Sequence, residues 1–237
     1  MEHQTIRGRL LYTSDQEHRA GAERGREWFT ITKHQDGRRI LRAQSEIDDE
    51  PSVLRDIVYA VGPDWAPLDC FVRLTVGGAF MGTGWFRFGP NSAECETFTA
   101  SEGRVRQRFD LPRWAPGFGS HALQSDAWLL NAYDLGKGRG KQLIENIFLS
   151  SPDHRGATGP MLFPMKVGMA LVGEETVTVK AGTFDTYHFQ YTDTTDLPKE
   201  HPPYDVWVTA DGDCIFVKAQ VTGYMQTSYE LIAIERA

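Results

Sequence analysis

The sequence predicts a mainly β protein: a single, highly curved antiparallel sheet, a half-barrel, with a helical insertion across its concave side. Three observations carry this expectation. Long runs alternate apolar and polar residues with period two, as in "TYHFQY" (Thr186 to Tyr191). The runs are joined by hairpin signals, Asp36-Gly37 and Asp211-Gly212 among them. In the middle of the chain, from about Pro112, the alternation gives way to Pro, Gly and helical spacing. Strands at hairpin spacing, rather than alternating with helices, exclude a doubly wound parallel sheet.

The elements follow in order. "REWFTITKHQDGRRILRAQSEI" reads as two strands about the Asp36-Gly37 turn, followed by "SVLRDIVYAV" and "PLDCFVRLTV". In the last of these Leu68, Cys70, Val72, Leu74 and Val76 form one apolar face. "AFMGTGWFRF" and "AECETFTASEGRVRQRF" continue the meander. "RWAPGFGSHALQ" is a loop by composition, and "SDAWLLNAYDL" a short helix that Ser125 is placed to cap. "GKQLIENIFLSSP" reads as a second helix, so the helical segment is expected over about 125–150. Strands resume at 167–179, 183–192, 204–209, 214–222 and 226–234. With no low-complexity linker and no repeat, residues 1–237 are expected to form one domain.

Composition narrows the function classes. A formal net charge of −7 argues against a nucleic-acid partner. No apolar run approaches the ~20 residues that span a bilayer, and "MEHQTIRGRLLYTSDQEH" lacks the apolar core of a secretory leader. Cys70, Cys95 and Cys214 are odd in number and far apart, hence expected as reduced thiols; a cytoplasmic location is the expectation.

The C-terminal segments "VTVKAGTFDTYHFQY", "YDVWVTADGDCIFVKAQVTG" and "YELIAIE" resemble a pattern found in bacterial half-barrel proteins of unassigned function. Those proteins are similar in architecture to lipoprotein-localisation factors. The resemblance spans Val177 to Glu235 and implies a concave apolar cavity. It specifies no reaction.

Familiar motifs fail on inspection. "LGKGRGKQ" lacks the first glycine and the Ser or Thr of a phosphate loop, and "FGSHA" lacks both glycines of a nucleophile elbow. His201 and Asp205 are separated by three residues that include Pro202 and Pro203, which makes them an edge or loop feature before a metal site. Neither metal nor cofactor is expected.

The candidate site rests on looser constellations. His121 in a Gly-flanked loop, with Asp126 in the following helical turn, offers a general acid or base and a carboxylate to orient it. His188, on the polar face of its strand, would line the cavity, with Asp69 or Asp205 as a second carboxylate partner, although the reverse orientation, with the aromatics inside and His188 in water, is equally allowed by the sequence. Arg55, Asp69 and Arg73 are charges on or beside apolar strand faces, where pairing is required; Arg55–Asp69 and Asp56–Arg73 are the pairs available, and either arginine would anchor an anionic oxygen. Trp85, Trp128 and Trp207 are expected to line the pocket, with Gly82 and Gly84 leaving room beside Trp85 for a ligand or another backbone. Together they suggest a cofactor-independent acid–base enzyme, a lyase, isomerase or hydrolase, acting on a hydrophobic or aromatic small molecule. The alternative is a non-catalytic carrier of a lipid-like ligand. No partner is expected beyond the small molecule and, at most, a second copy of the chain.

Overall fold

The computed structural model describes residues 3–237, so the first two residues of the stretch read for a leader lie outside it. Fifteen strands form one sheet. The N-terminal half is a meander of β1 (His3–Ser14), β2 (Glu23–His34), β3 (Arg39–Ile47), β4 (Val53–Val61), β5 (Pro67–Val76), β6 (Ala79–Gly89), β7 (Ser92–Thr99) and β8 (Gly103–Asp110). After the short β9 (Phe118–Gly119) comes a single helix, α1 (Leu123–Leu129). β10 (Gly140–Leu149), β11 (Phe163–Val179), β12 (Gly182–Thr192), β13 (Tyr204–Thr209), β14 (Phe216–Val221) and β15 (Thr227–Arg236) complete the sheet. Neighbours are antiparallel throughout, except β9 beside β10.

The expected class is borne out: a curled, open antiparallel sheet with little helix. The two meanders meet at β1 and β15, and β8 and β9 are the free edges. Near the edges, Gln107 of β8 donates to the carbonyl of Leu162 at 3.1 Å and accepts its N–H at 2.8 Å. This clasp draws the segment after β10 across toward β8. The concave side is filled by Tyr59, Phe86, Phe118, Phe148 and Phe216, all fully buried, and by Trp128 of α1. Tyr59, Phe86 and Phe88 surround Phe118 at ring separations of 5.1–5.8 Å, the range of edge and tilted aromatic packing.

Two local expectations are corrected. The segment 140–149 is a strand, not a second helix. A register shift between Ile144 and Ile147, with Asn146 at φ +60°, inserts one extra residue into the ladder. Such a bulge re-phases the alternation, so Ile144, Ile147 and Phe148 acquire a spacing that imitates a helix face. Ser125 is not the cap of α1 either. The helix begins at Leu123, and its first N–H groups are satisfied from a distant strand by Glu27.

Candidate active site

The site is organised around α1. Glu27 sits on the inner face of β2, alternating with Phe29 and Ile31, and is fully buried. Its carboxylate accepts the N–H of Leu123 at 2.8 Å and of Gln124 at 3.1 Å, the hydroxyl of Ser45 at 2.8 Å and that of Tyr12 at 3.2 Å. Burial raises its pKa, and these four donors oppose the rise. At the other side of the helix Gln124 donates to the carbonyl of Cys214 at 2.9 Å and accepts the N–H of Phe216 at 3.1 Å. The two anchors fix the rotation of α1, which leaves Asp126 facing a cleft.

His121 precedes the helix in the left-handed region, φ +65°. Arg55, 1% exposed on the inner face of β4, holds this loop from beneath. Its guanidinium donates to the carbonyls of His121 at 3.0 Å, Arg155 at 2.6 Å and Gly156 at 2.5 Å. Burial lowers the Arg55 pKa, and the three carbonyls supply the compensation that a buried cation requires. Arg55 is therefore a staple between two loops.

The cleft has two lobes, of about 160 and 120 Å³. His121, Asp126, His154, His201 and Tyr204 line both and form the passage between them. The first lobe opens past Arg24, Arg155 and Tyr224. The second is walled by Leu129, Ile147, Leu149, Met165 and Val167. In this setting the two central groups shift in opposite directions. Desolvation, with the nearby Glu27 charge adding to it, raises Asp126 to about 8. Desolvation, reinforced by Arg55, lowers His121 to about 3. At neutral pH Asp126 is thus largely a carboxylic acid and His121 a neutral imidazole. The Asp126 carboxyl lies 3.5 Å from the Tyr204 hydroxyl, while its main-chain carbonyl accepts from Tyr191 at 2.6 Å.

The residues anticipated from sequence fall into three groups. His121 and Asp126 do share the cleft, but the imidazole Nδ1 makes its hydrogen bond with Ser150 Oγ, at 3.1 Å, and not with Asp126. Arg55 and Trp128 are buried under the site and do not line it. Trp128, 2% exposed, packs on Tyr59 and Trp65. The remaining residues are on the outer face. His188 stacks on Trp207 at 4.0 Å and lies 2.8 Å from Asp205 and 3.5 Å from Glu175, while Phe189 and Tyr191 point inward. Of the two orientations open to that strand, the structure therefore has the one with His188 away from the cavity: its aromatics satisfy the core, and its polar face finds carboxylates outside. Asp69 stands opposite Arg87, Arg73 opposite Asp56 and Thr83, and Trp85 is 45% exposed opposite Phe71. The space at Gly82 and Gly84 is taken by the Gly159-Pro160 segment, since a Cβ on either would meet the Pro160 ring at 2.8–2.9 Å.

Sequence reasoning missed Glu27, Ser150, His154, Arg155 and Tyr204 as site residues. The signal for Glu27 was present: in "GREWFTI" it occupies the position between Gly25 and Phe29 on an otherwise apolar face. His154, Arg155 and Ser150 lie in irregular chain, where no period announces direction. Among the described residues no three His, Cys, Asp or Glu side chains are grouped to hold a metal ion. All three cysteines are free and buried. Among the described residues no helix is long and apolar enough to cross a membrane.

The chain matches no protein-family model and no curated protein. Its architecture is similar to that of a solved bacterial β-barrel-like protein. It is similar to a β-barrel-like protein of domain of unknown function DUF1849 from Brucella abortus, with a TM-score of 0.58 and 11% identity over 99% of this chain and 97% of that one. A DUF1089 family protein from Pseudomonas aeruginosa aligns with a TM-score of 0.45 and 7% identity, over 84% and 91% of the two chains. At these identities the likeness concerns the fold.

Proposed function

We propose that the protein is a cofactor-independent acid–base enzyme that transforms a small molecule bound in the two-lobed cleft. The observation that carries this reading is the pairing of Asp126 and His121 in one cleft with proton affinities displaced in opposite directions. A carboxyl that titrates near the working pH is suited to give and take a proton, and a neutral imidazole held by Ser150 is suited to accept a hydrogen bond. Asp126 is accordingly assigned as the proton donor and acceptor. His121 orients or polarises the reacting group. The reaction class is a proton-transfer lyase, isomerase or hydrolase step on the part of the ligand in the narrow passage.

The C-terminal sequence pattern, which resembles half-barrel proteins built like lipoprotein-localisation factors, would favour a carrier, and a carrier calls for a wide, uncharged cavity. Lobes of about 160 and 120 Å³ with a charged mouth favour the enzyme. Native mass spectrometry of protein purified from cells tests the reading, by identifying a trapped compound to be supplied as substrate. Conversion by the native protein, lost in Asp126→Asn and His121→Asn, supports it. Release of the compound unchanged overturns it in favour of carriage.

A further inference from the structure

We propose that the ligand of this cleft is a small amphiphile with an anionic head, held at the first lobe by Arg155, and an apolar tail in the second. The inference rests on the two-lobed cleft described above and names its ligand class. The chain as a whole carries a net charge of −7, yet the mouth of the first lobe is cationic. Arg19 and Arg24 share a single carboxylate, Asp49. Among the described residues Arg155 forms no ion pair, and its side chain donates to the carbonyl of Pro51 at 3.3 Å. Asp153, the nearest carboxylate along the chain, is turned into its own loop, where Oδ1 accepts the N–H of Arg155 and of Ala157, each at 3.0 Å. Lys199 adds a further cation, its ammonium 3.3 Å from the ring of Tyr224, and Tyr224 in turn packs edge-on against His154. His154 thus stands among Arg24, Arg155 and Lys199, with Asp153 opposing them.

The position of Arg155 is built. Arg55 binds the main-chain carbonyls of Arg155 and Gly156, so the loop that presents the guanidinium is fixed from the core. A half-buried guanidinium without a carboxylate is a ready partner for a carboxylate or phosphate oxygen. At the opposite end of the passage the walls are aliphatic and thioether side chains, Leu129, Ile147, Leu149, Met165 and Val167. An anionic head at one end and an apolar body at the other would thread the ligand past Asp126 and His121 in one direction only.

Four probes with one tail decide the matter: octanoate, octyl phosphate, 1-octanol and octylamine, titrated at pH 7.5 by calorimetry against the full chain. The expected result is that one or both anions bind at least about tenfold more tightly than the alcohol and the amine, one 1.4 kcal/mol step in affinity. The better of octanoate and octyl phosphate identifies the head group. Arg155→Gln should erase the preference for anions, and Arg155→Lys should keep most of it. Equal binding of the alcohol, a preference for the amine, binding of none of the probes, or an unchanged preference in a folded Arg155→Gln would overturn the proposal. No turnover is required, so the outcome is independent of the acid–base assignment, which is judged on Asp126→Asn and His121→Asn.

Discussion

The carboxylate of Glu27 accepts the main-chain N–H of Leu123 at 2.8 Å, across 96 residues of chain. A strand residue thereby serves as the cap of a helix whose own N-cap position, Ala122, offers no side-chain acceptor. Glu27→Ala removes the acceptor for two N–H groups and two hydroxyls in a buried place. The expected cost is about 3 kcal/mol or more, because buried donors are left unmade. Glu27→Gln retains an acceptor and should cost distinctly less. Urea unfolding of the two variants gives the comparison; equal losses would show that charge, and not acceptance, is what the helix needs.

Opposite pKa shifts at Asp126 and His121 predict a particular pH profile of stability. The unfolded Asp126 loses its proton near pH 4, whereas the folded one holds it to about 8, so its contribution falls as pH rises through that interval. The unfolded His121 gains a proton below about pH 6.5 and the folded one only near 3, so its contribution falls as pH drops through that interval. Between about pH 4 and 6.5 the two slopes oppose each other. Between about 6.5 and 8 only Asp126 acts, at most about 2 kcal/mol in all. Thermal unfolding of the native protein should therefore weaken relative to Asp126→Asn from pH 6.5 to 8. Parallel curves over that range would refute the raised carboxyl.

Gly156 is a third test, of the staple under the cleft. It sits at φ +62°, and a Cβ there would lie 2.0 Å from Arg55 Nη2 and 2.9 Å from the His121 ring. Gly156→Ala should lower stability by about 1–3 kcal/mol through backbone strain and the displaced cation. It should also perturb the His121 ring resonances in NMR spectra. An alanine variant with native stability and unshifted resonances would mean that Arg55 moves aside freely.

His188 supplies a control. Its contacts with Trp207, Asp205 and Glu175 are all on the outer face. His188→Ala should leave ligand binding and turnover in the cleft within about twofold of native, a change of under 0.5 kcal/mol as for a surface substitution. A tenfold loss would mean that the outer face communicates with the cleft.

Much of the sheet was legible because a strand with one buried face writes its period into the residues. "YDVWVT" is recognised to the residue as β13, and the Asp36-Gly37 turn falls between β2 and β3. The direction of a strand's faces was less legible wherever both carried aromatic or amphipathic groups. Tyr187, Phe189 and Tyr191 alternate with His188 and Gln190, and only the neighbouring strand, by placing Trp207 and Asp205 outside, decides which set is buried. The pairing demanded by Arg55 was legible as a requirement. Its partners were not, because carbonyls of irregular loops leave no mark on side-chain pattern. His121 and Asp126 were found through loop and helix composition, while their true neighbours Glu27 and Ser150 come from elements remote in the chain.

The seam between β1 and β15 has a consequence for how the chain reaches this form. These strands pair along their length, from Ile6 with Arg236 to Ser14 with Thr227, although every other strand of the sheet lies between them in chain order. As the polypeptide emerges from the ribosome, β1 has β2 on one side and nothing on the other until β15 is synthesised. A strand edge that waits so long is a template for wrong pairing. Closing it also requires the largest loop in the molecule, which slows the final step of assembly relative to the hairpins on either side. The outer edge of β1 is thus the part of the N-terminal meander left open longest, and β15 is the strand that covers it.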